Sequence, residues 1–168
     1  MQRQLWMSIL ASIIGWSMSA NSQTQSPGEQ QHSSQIVFVC EHGAALSVVS
    51  AAYFNKIAKQ ERLNLHAIAR GTGLQENISV SAREGLNSDG VAFETKRPQR
   101  ISTREAAHAR RIVTFTPLPA KYSRLAPIEM CNDVPPTSAN YGRARDAILK
   151  HLRDMIRQLK SENLTPVE

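Results

Sequence analysis

The sequence predicts one α/β domain built on a parallel sheet. Three observations carry that prediction. The 168 residues suit a single core and fall short of the roughly 250 that a TIM barrel needs. Short β-branched runs alternate with longer segments of helical period, as in β-α-β units joined by right-handed crossovers. The first run, Ile36-Val37-Phe38-Val39, is apolar at every position, as in a strand buried on both faces.

Composition narrows the class further. With 8 Gly and 8 Pro the chain is neither collagen-like nor low-complexity. Two cysteines exclude a disulfide-dense scaffold and a four-thiolate zinc site. Lys and Arg number 20 against 14 Asp and Glu, so the net charge of +6 favours anionic substrates or acidic partners without naming one.

Residues 1–20 have the layout of a secretory signal peptide. Arg3 supplies the positive start, Leu5 to Ser19 the apolar centre, and Ser17 to Ala20 a small-residue cleavage site. The run is shorter than the ~20 residues of a bilayer span, so the mature protein is not expected to be membrane-embedded. Losing only Arg3 takes the charge from +6 to +5, and both Trp residues, Trp6 and Trp16, leave with it. The protein is thus expected to be exported, periplasmic or secreted. Residues 21–34 are polar and aperiodic and read as a disordered linker. The domain is expected over residues 35–161, with a tail at 162–168.

Within the domain each element has its own signal. After the first strand, Val48, Ala51, Ala52, Ile57 and Ala58 lie at helical spacing between Ala44 and Ala58. Leu63 to Ala69 alternates, as a second strand does. Ser81 with Glu84 has capping-box spacing and opens a short helix that ends near Gly90; Ser102 with Glu105 repeats the signal. Ile112 to Phe115 reads as the third strand and Leu125 to Met130 as a short fourth. Ala144, Ile148, Leu152, Met155 and Leu159 mark a long amphipathic helix.

The informative segment is Cys40-Glu41-His42-Gly43-Ala44-Ala45-Leu46-Ser47, which joins the first strand to the first helix. Open α/β sheets bind ligands at the carboxyl ends of their strands. A helix N-terminus offers free amides and a positive dipole end to an oxyanion, and Gly43 allows those amides to turn inward as a nest. That field favours the thiolate of Cys40, the nucleophilic form, and Ser47 is placed to hydrogen-bond it. The same pattern also fits a small buried Cys at a strand end.

IVFVCEHGAALS followed by a helix resembles the phosphate loop of the low-molecular-weight protein tyrosine phosphatases and thioredoxin-type arsenate reductases. There a Cys, five residues, an Arg and a Ser lie between first strand and first helix. Ala69-Arg70-Gly71-Thr72 resembles the family's S-A-G-T after the second strand, and Arg111 to Phe115 its D-x-V-I-T strand. Ala82 to Gly90 with Arg97-Pro98 resembles its middle stretch, and Asp133-Val134-Pro135-Pro136 falls at its Asp-Pro loop. The resemblance spans about residues 35–160. It implies a four-stranded sheet in the order 2-1-3-4, helices on both faces, and Cys40 at the end of the central strand.

It also implies roles. Cys40 matches the nucleophile, Ser47 its hydrogen-bonding Ser, and Glu41 to Ser47 the anion-binding loop. Leu46 stands where the family has Arg, and loss of such a charged clamp commonly costs a factor of about 10² or more. Gly43 replaces the loop Asn. Asp133 is near the general acid, although Val134 directly precedes the first Pro; a turn or capping Asp fits the same residues. The substrate implied is a small oxyanion or phosphorylated molecule, phosphate or arsenate, processed weakly. The alternative is a descendant that binds an anion or partner without catalysis.

No cofactor motif is present, and no His-x-x-x-His or Cys-x-x-Cys spacing supports a metal. Glu41, His42 and His66 form at most a weak metal pairing; His108 and His151 read as surface residues. Lys96, Arg97 and Arg100 form a basic cluster from which Arg97 is the candidate to lean towards an anion. The basic residues of the last helix lack interleaved aromatics, which argues against nucleic acid. Cys131 lies beside the Asp-Pro-like loop, so a Cys40–Cys131 disulfide masking the nucleophile is one expectation for an oxidising compartment. Oligomeric state is open at this level.

Overall fold

The computed structural model describes residues 34–162. The expected signal peptide, most of the linker and nearly all of the C-terminal tail lie outside those residues. β1 (Gln35–Cys40), β2 (His66–Gly71), β3 (Arg111–Thr114) and β4 (Ile128–Met130) form one parallel sheet in the order β2-β1-β3-β4. The helices are α1 (Leu46–Gln60), α2 (Val80–Ser88), α3 (Thr103–His108) and α4 (Tyr141–Glu162), with a 3-10 turn at Ala120–Tyr122.

β1 explains its own composition. Ile36 and Phe38 face a core shared with α1, α2 and α4, while Val37 and Val39 face a smaller core with α3 and the 3-10 turn. Successive side chains of a strand point to opposite faces, so a central strand between two helical layers must be apolar throughout. Phe38 meets Phe54 of α1 with ring centroids 6.0 Å apart, which anchors the helix that follows the loop.

The caps differ from expectation in one place. Ser102 and Glu105 form the complete capping box read from the sequence. At α2 the cap is Ser79, whose Oγ accepts from the Ala82 amide, and Ser81 instead bonds Ser79 and Thr137. Two serines two residues apart offer competing registers, and tertiary contact with Thr137 takes the second one.

α1, α2 and α4 are tied together by one carboxylate. Asp89 accepts from Tyr53 at 2.5 Å and from Tyr141 at 3.0 Å, and pairs with Arg145 at 3.2 Å. Tyr141 lies flat on Gly85, where an added Cβ would sit 2.3 Å from the ring.

Candidate functional site

β1 delivers Cys40 to the carboxyl end of the sheet, in register with Gly71 of β2. Six residues later α1 begins at Leu46, and its N-cap, Ala45, makes no side-chain cap bond. Between them Gly43 turns the chain at φ +66°, the left-handed region that disfavours any Cβ. Two glycines meet there. A Cβ on Gly43 would lie 2.9 Å from the Gly71 nitrogen, and one on Gly71 would lie 2.6 Å from the Gly43 nitrogen.

The loop is braced from outside through its carbonyls. Thr72 N–H donates to Cys40 O at 3.2 Å, Gly73 N–H to Glu41 O at 2.7 Å, and Ser79 N–H to Ala44 O at 3.0 Å. Among the described residues, the amides of residues 41–48 donate no hydrogen bond. A run of unengaged N–H groups at a helix start is an anion-binding arrangement.

Cys40 is buried at 7% exposure and its Sγ lies 3.1 Å from the Oγ of the fully buried Ser47. A hydroxyl donated to sulfur stabilises its anionic form. Glu41 and His42 are exposed and pair at 3.9 Å. Ala44 is buried and Ala45 half-buried, while Leu46 is half-buried and packs on the larger core. The structure places Cys40, residues 41–46 and Ser47 on one strand–loop–helix segment, with the Cys40 and Ser47 side chains in contact.

Other candidates are placed elsewhere. Arg97 lines a groove of about 1140 Å³ along β2. Arg100 is the basic residue that reaches the loop's brace, donating to the carbonyl of Thr72, whose amide donates to the Cys40 carbonyl. Its position follows from the bridge Gly71↔Arg100, which continues the sheet pairing beyond β2. His66 pairs with Gln35, at the opposite end of β1 from Cys40, and its ring is 3.7 Å from Glu94, so it forms no metal pair with Glu41 and His42.

Asp133 is committed to α4. Its Oδ1 lies 2.7 Å from Nε2 of His151, and that hydrogen bond holds its carboxyl below the usual carboxylate range. No hydrogen bond or ion pair links it to residues 40–47 among the described residues. As placed, it is a carboxylate partner of an imidazole. His151, read as a surface residue, is half-buried for the same reason.

Both thiols are free. β3 separates them: Val39 pairs with Thr114 and Thr114 with Met130, so Cys40 and Cys131 lie two strands apart. Two strand spacings are roughly 9.6 Å, beyond the ~6.8 Å limit for a disulfide. The expected bond is therefore excluded by strand order. Burial, then the Glu129 and Asp133 carboxylates, push the Cys131 thiol up to about 12.

Several solved structures share this architecture. YfkJ from Bacillus subtilis superposes with a TM-score of 0.68 at 17% identity, covering 76% of this chain and 95% of its own. A low-molecular-weight protein tyrosine phosphatase from Streptococcus pyogenes gives 0.64 at 15%, covering 74% and 92%. A thioredoxin-dependent arsenate reductase from Corynebacterium glutamicum gives 0.60 at 14%, covering 79% and 65%. The fold is that of low-molecular-weight tyrosine phosphatases and thioredoxin-dependent arsenate reductases. At these identities the likeness is one of fold, and chemistry must be argued from the site. No protein-family model and no curated protein matches the chain. Among the described residues no helix is long and apolar enough to cross a membrane.

Proposed function

We propose that the protein is a phosphatase-like enzyme of low activity that takes phosphate or arsenate oxyanions at residues 40–47, with Cys40 as nucleophile. The observation that carries the proposal is the 3.1 Å Cys40–Ser47 contact inside a loop whose amides are unengaged. The Ser47 hydroxyl donates to the Cys40 thiolate, and the amides of residues 41–46 hold the oxyanion's oxygens. On a phosphomonoester, the sulfur lone pair forms an S–P bond as the ester P–O bond breaks. The leaving oxygen keeps the bonding pair and takes a proton from water, because Asp133 is engaged by His151. A water then attacks phosphorus, the S–P bond breaks, orthophosphate leaves and the thiolate returns.

Two features make this slow. Leu46 places no guanidinium on the oxyanion, and Asp133 is held by His151 rather than by the loop. The chemistry is proposed for an exported protein, in keeping with residues 1–20, on a small anionic substrate rather than nucleic acid. A second reading, anion or partner binding without turnover, is favoured by Leu46 packing into the core. Turnover of p-nitrophenyl phosphate, with Cys40→Ser as control, separates the two. Slow hydrolysis abolished by Cys40→Ser is the expected result. No hydrolysis above that control, with orthophosphate still protecting Cys40 from alkylation, would select the binding reading.

A further inference from the structure

A second cluster of chemistry-bearing side chains lies at the β4 edge of the sheet. Glu129 and Cys131 lie two apart on an extended segment and share a face, and Asp133 stands in the turn that follows. β4 ends at Met130, yet the Cys131 amide still donates to the Thr114 carbonyl at 2.9 Å, so the extended pattern continues. Cys131 is buried in the larger core, to which Leu152 of α4, the neighbour of His151, also belongs.

One donor atom each from Glu129, Cys131 and His151 lies within 4.8 Å of the other two. Cys131 is 2% exposed, and its sulfur makes no hydrogen bond among the described residues. Asp133 sits 2.7 Å from His151 Nε2. A carboxylate holding one nitrogen of an imidazole is the usual support for a histidine that binds metal.

We propose that Glu129, Cys131 and His151 bind a divalent cation of the zinc class, with Asp133 orienting the imidazole. Thiolate, imidazole and carboxylate together form a zinc donor set, softer than the all-oxygen sets of calcium and magnesium. Tetrahedral zinc keeps donor atoms about 3.3–3.8 Å apart, so the cluster closes on an ion with side-chain movements on the order of 1 Å. The local charge also favours a cation. Two carboxylates and a thiol share the site with one imidazole and Arg111. Arg111 lies 3.3 Å from Glu129, but it also bonds Gln158 at 2.9 Å and Glu162 at 2.7 Å, so Glu129 can turn to an ion without stranding it. On binding, the Cys131 S–H bond breaks, an S–metal bond forms, and the proton passes to solvent. Three protein donors leave one tetrahedral position for water.

The test is titration of the metal-stripped, reduced full chain with Co²⁺, whose thiolate charge-transfer absorption reports a Cys ligand. The expected result is saturation at one ion per chain, with the band displaced by Zn²⁺. Cys131→Ser abolishes the band and Cys40→Ser leaves it. His151→Gln and Asp133→Asn, both at partly exposed side chains, retain the fold by circular dichroism and weaken binding about tenfold or more. No saturable binding, a band that survives Cys131→Ser or disappears with Cys40→Ser, or an affinity indifferent to His151→Gln would each overturn the proposal.

Discussion

At Gly43 the backbone stands at φ +66°, and any Cβ there would press on the Gly71 amide. Gly43→Ala is therefore expected to destabilise the fold by at least about 1–2 kcal/mol, the cost of a left-handed non-glycine residue. Denaturant unfolding measures it, and an unchanged midpoint would show that the loop has another low-energy path. Ser47 makes a different prediction. Its hydroxyl is buried against the Cys40 sulfur, so Ser47→Ala should slow alkylation of Cys40 by iodoacetamide about tenfold, since a hydrogen bond to a charged group is worth about 1.5 kcal/mol or more. Equal rates in wild type and variant would remove Ser47 from the site. The Cys40–Ser47 pairing was legible because seven residues of strand end, turn and first helical turn bring them together locally. The Asp133–His151 pair was not, because 18 residues separate its members and only the lie of α4 joins them.

Among the elements, α1, α2 and α4 depend on Asp89. The Tyr53 hydrogen bond, aided by Tyr141 and Arg145, holds the Asp89 carboxyl below its ordinary range despite partial burial. A depressed folded-state value means the stabilisation is present above the unfolded value of about 4 and is lost as pH falls through the folded one. Asp89→Ala should thus cost about 2 kcal/mol near neutral pH, and the gap from wild type should narrow steadily below about pH 4. Thermal melts across pH 2–7 measure both. A gap independent of pH would assign the effect to packing. At this scale the strands and α4 were readable from period, since β1 is buried on both faces and α4 on one. The α2 cap was not, because Ser79 and Ser81 differ only in the tertiary partner, Thr137, that one of them finds. The Glu129-x-Cys131-x-Asp133 alternation was visible in the sequence, but β4 is only three residues long and too exposed to announce which face it buries.

For the whole molecule, strand order decides which groups can meet. With β3 between β1 and β4, the thiols stay apart even in an oxidising compartment, so the unreduced, denatured chain should titrate two free thiols. Fewer than two in a monomer would mean that the loop after β4 moves across β3. The same order places residues 40–47 after β1 and the Glu129–Cys131–His151 cluster at β4, apart from each other on one sheet. The fold is shared with tyrosine phosphatases and arsenate reductases, and under the proposed function Leu46 is the loop residue that limits the chemistry. The most direct test of the account is therefore the kcat/KM for p-nitrophenyl phosphate of wild type, Leu46→Arg, and Leu46→Arg with Cys40→Ser. The account predicts wild-type turnover below about 10⁴ M⁻¹s⁻¹, a rise of about 10² on restoring the guanidinium, and loss of that gain without Cys40. Efficient wild-type turnover, or a Leu46→Arg gain that persists in Cys40→Ser, would contradict it.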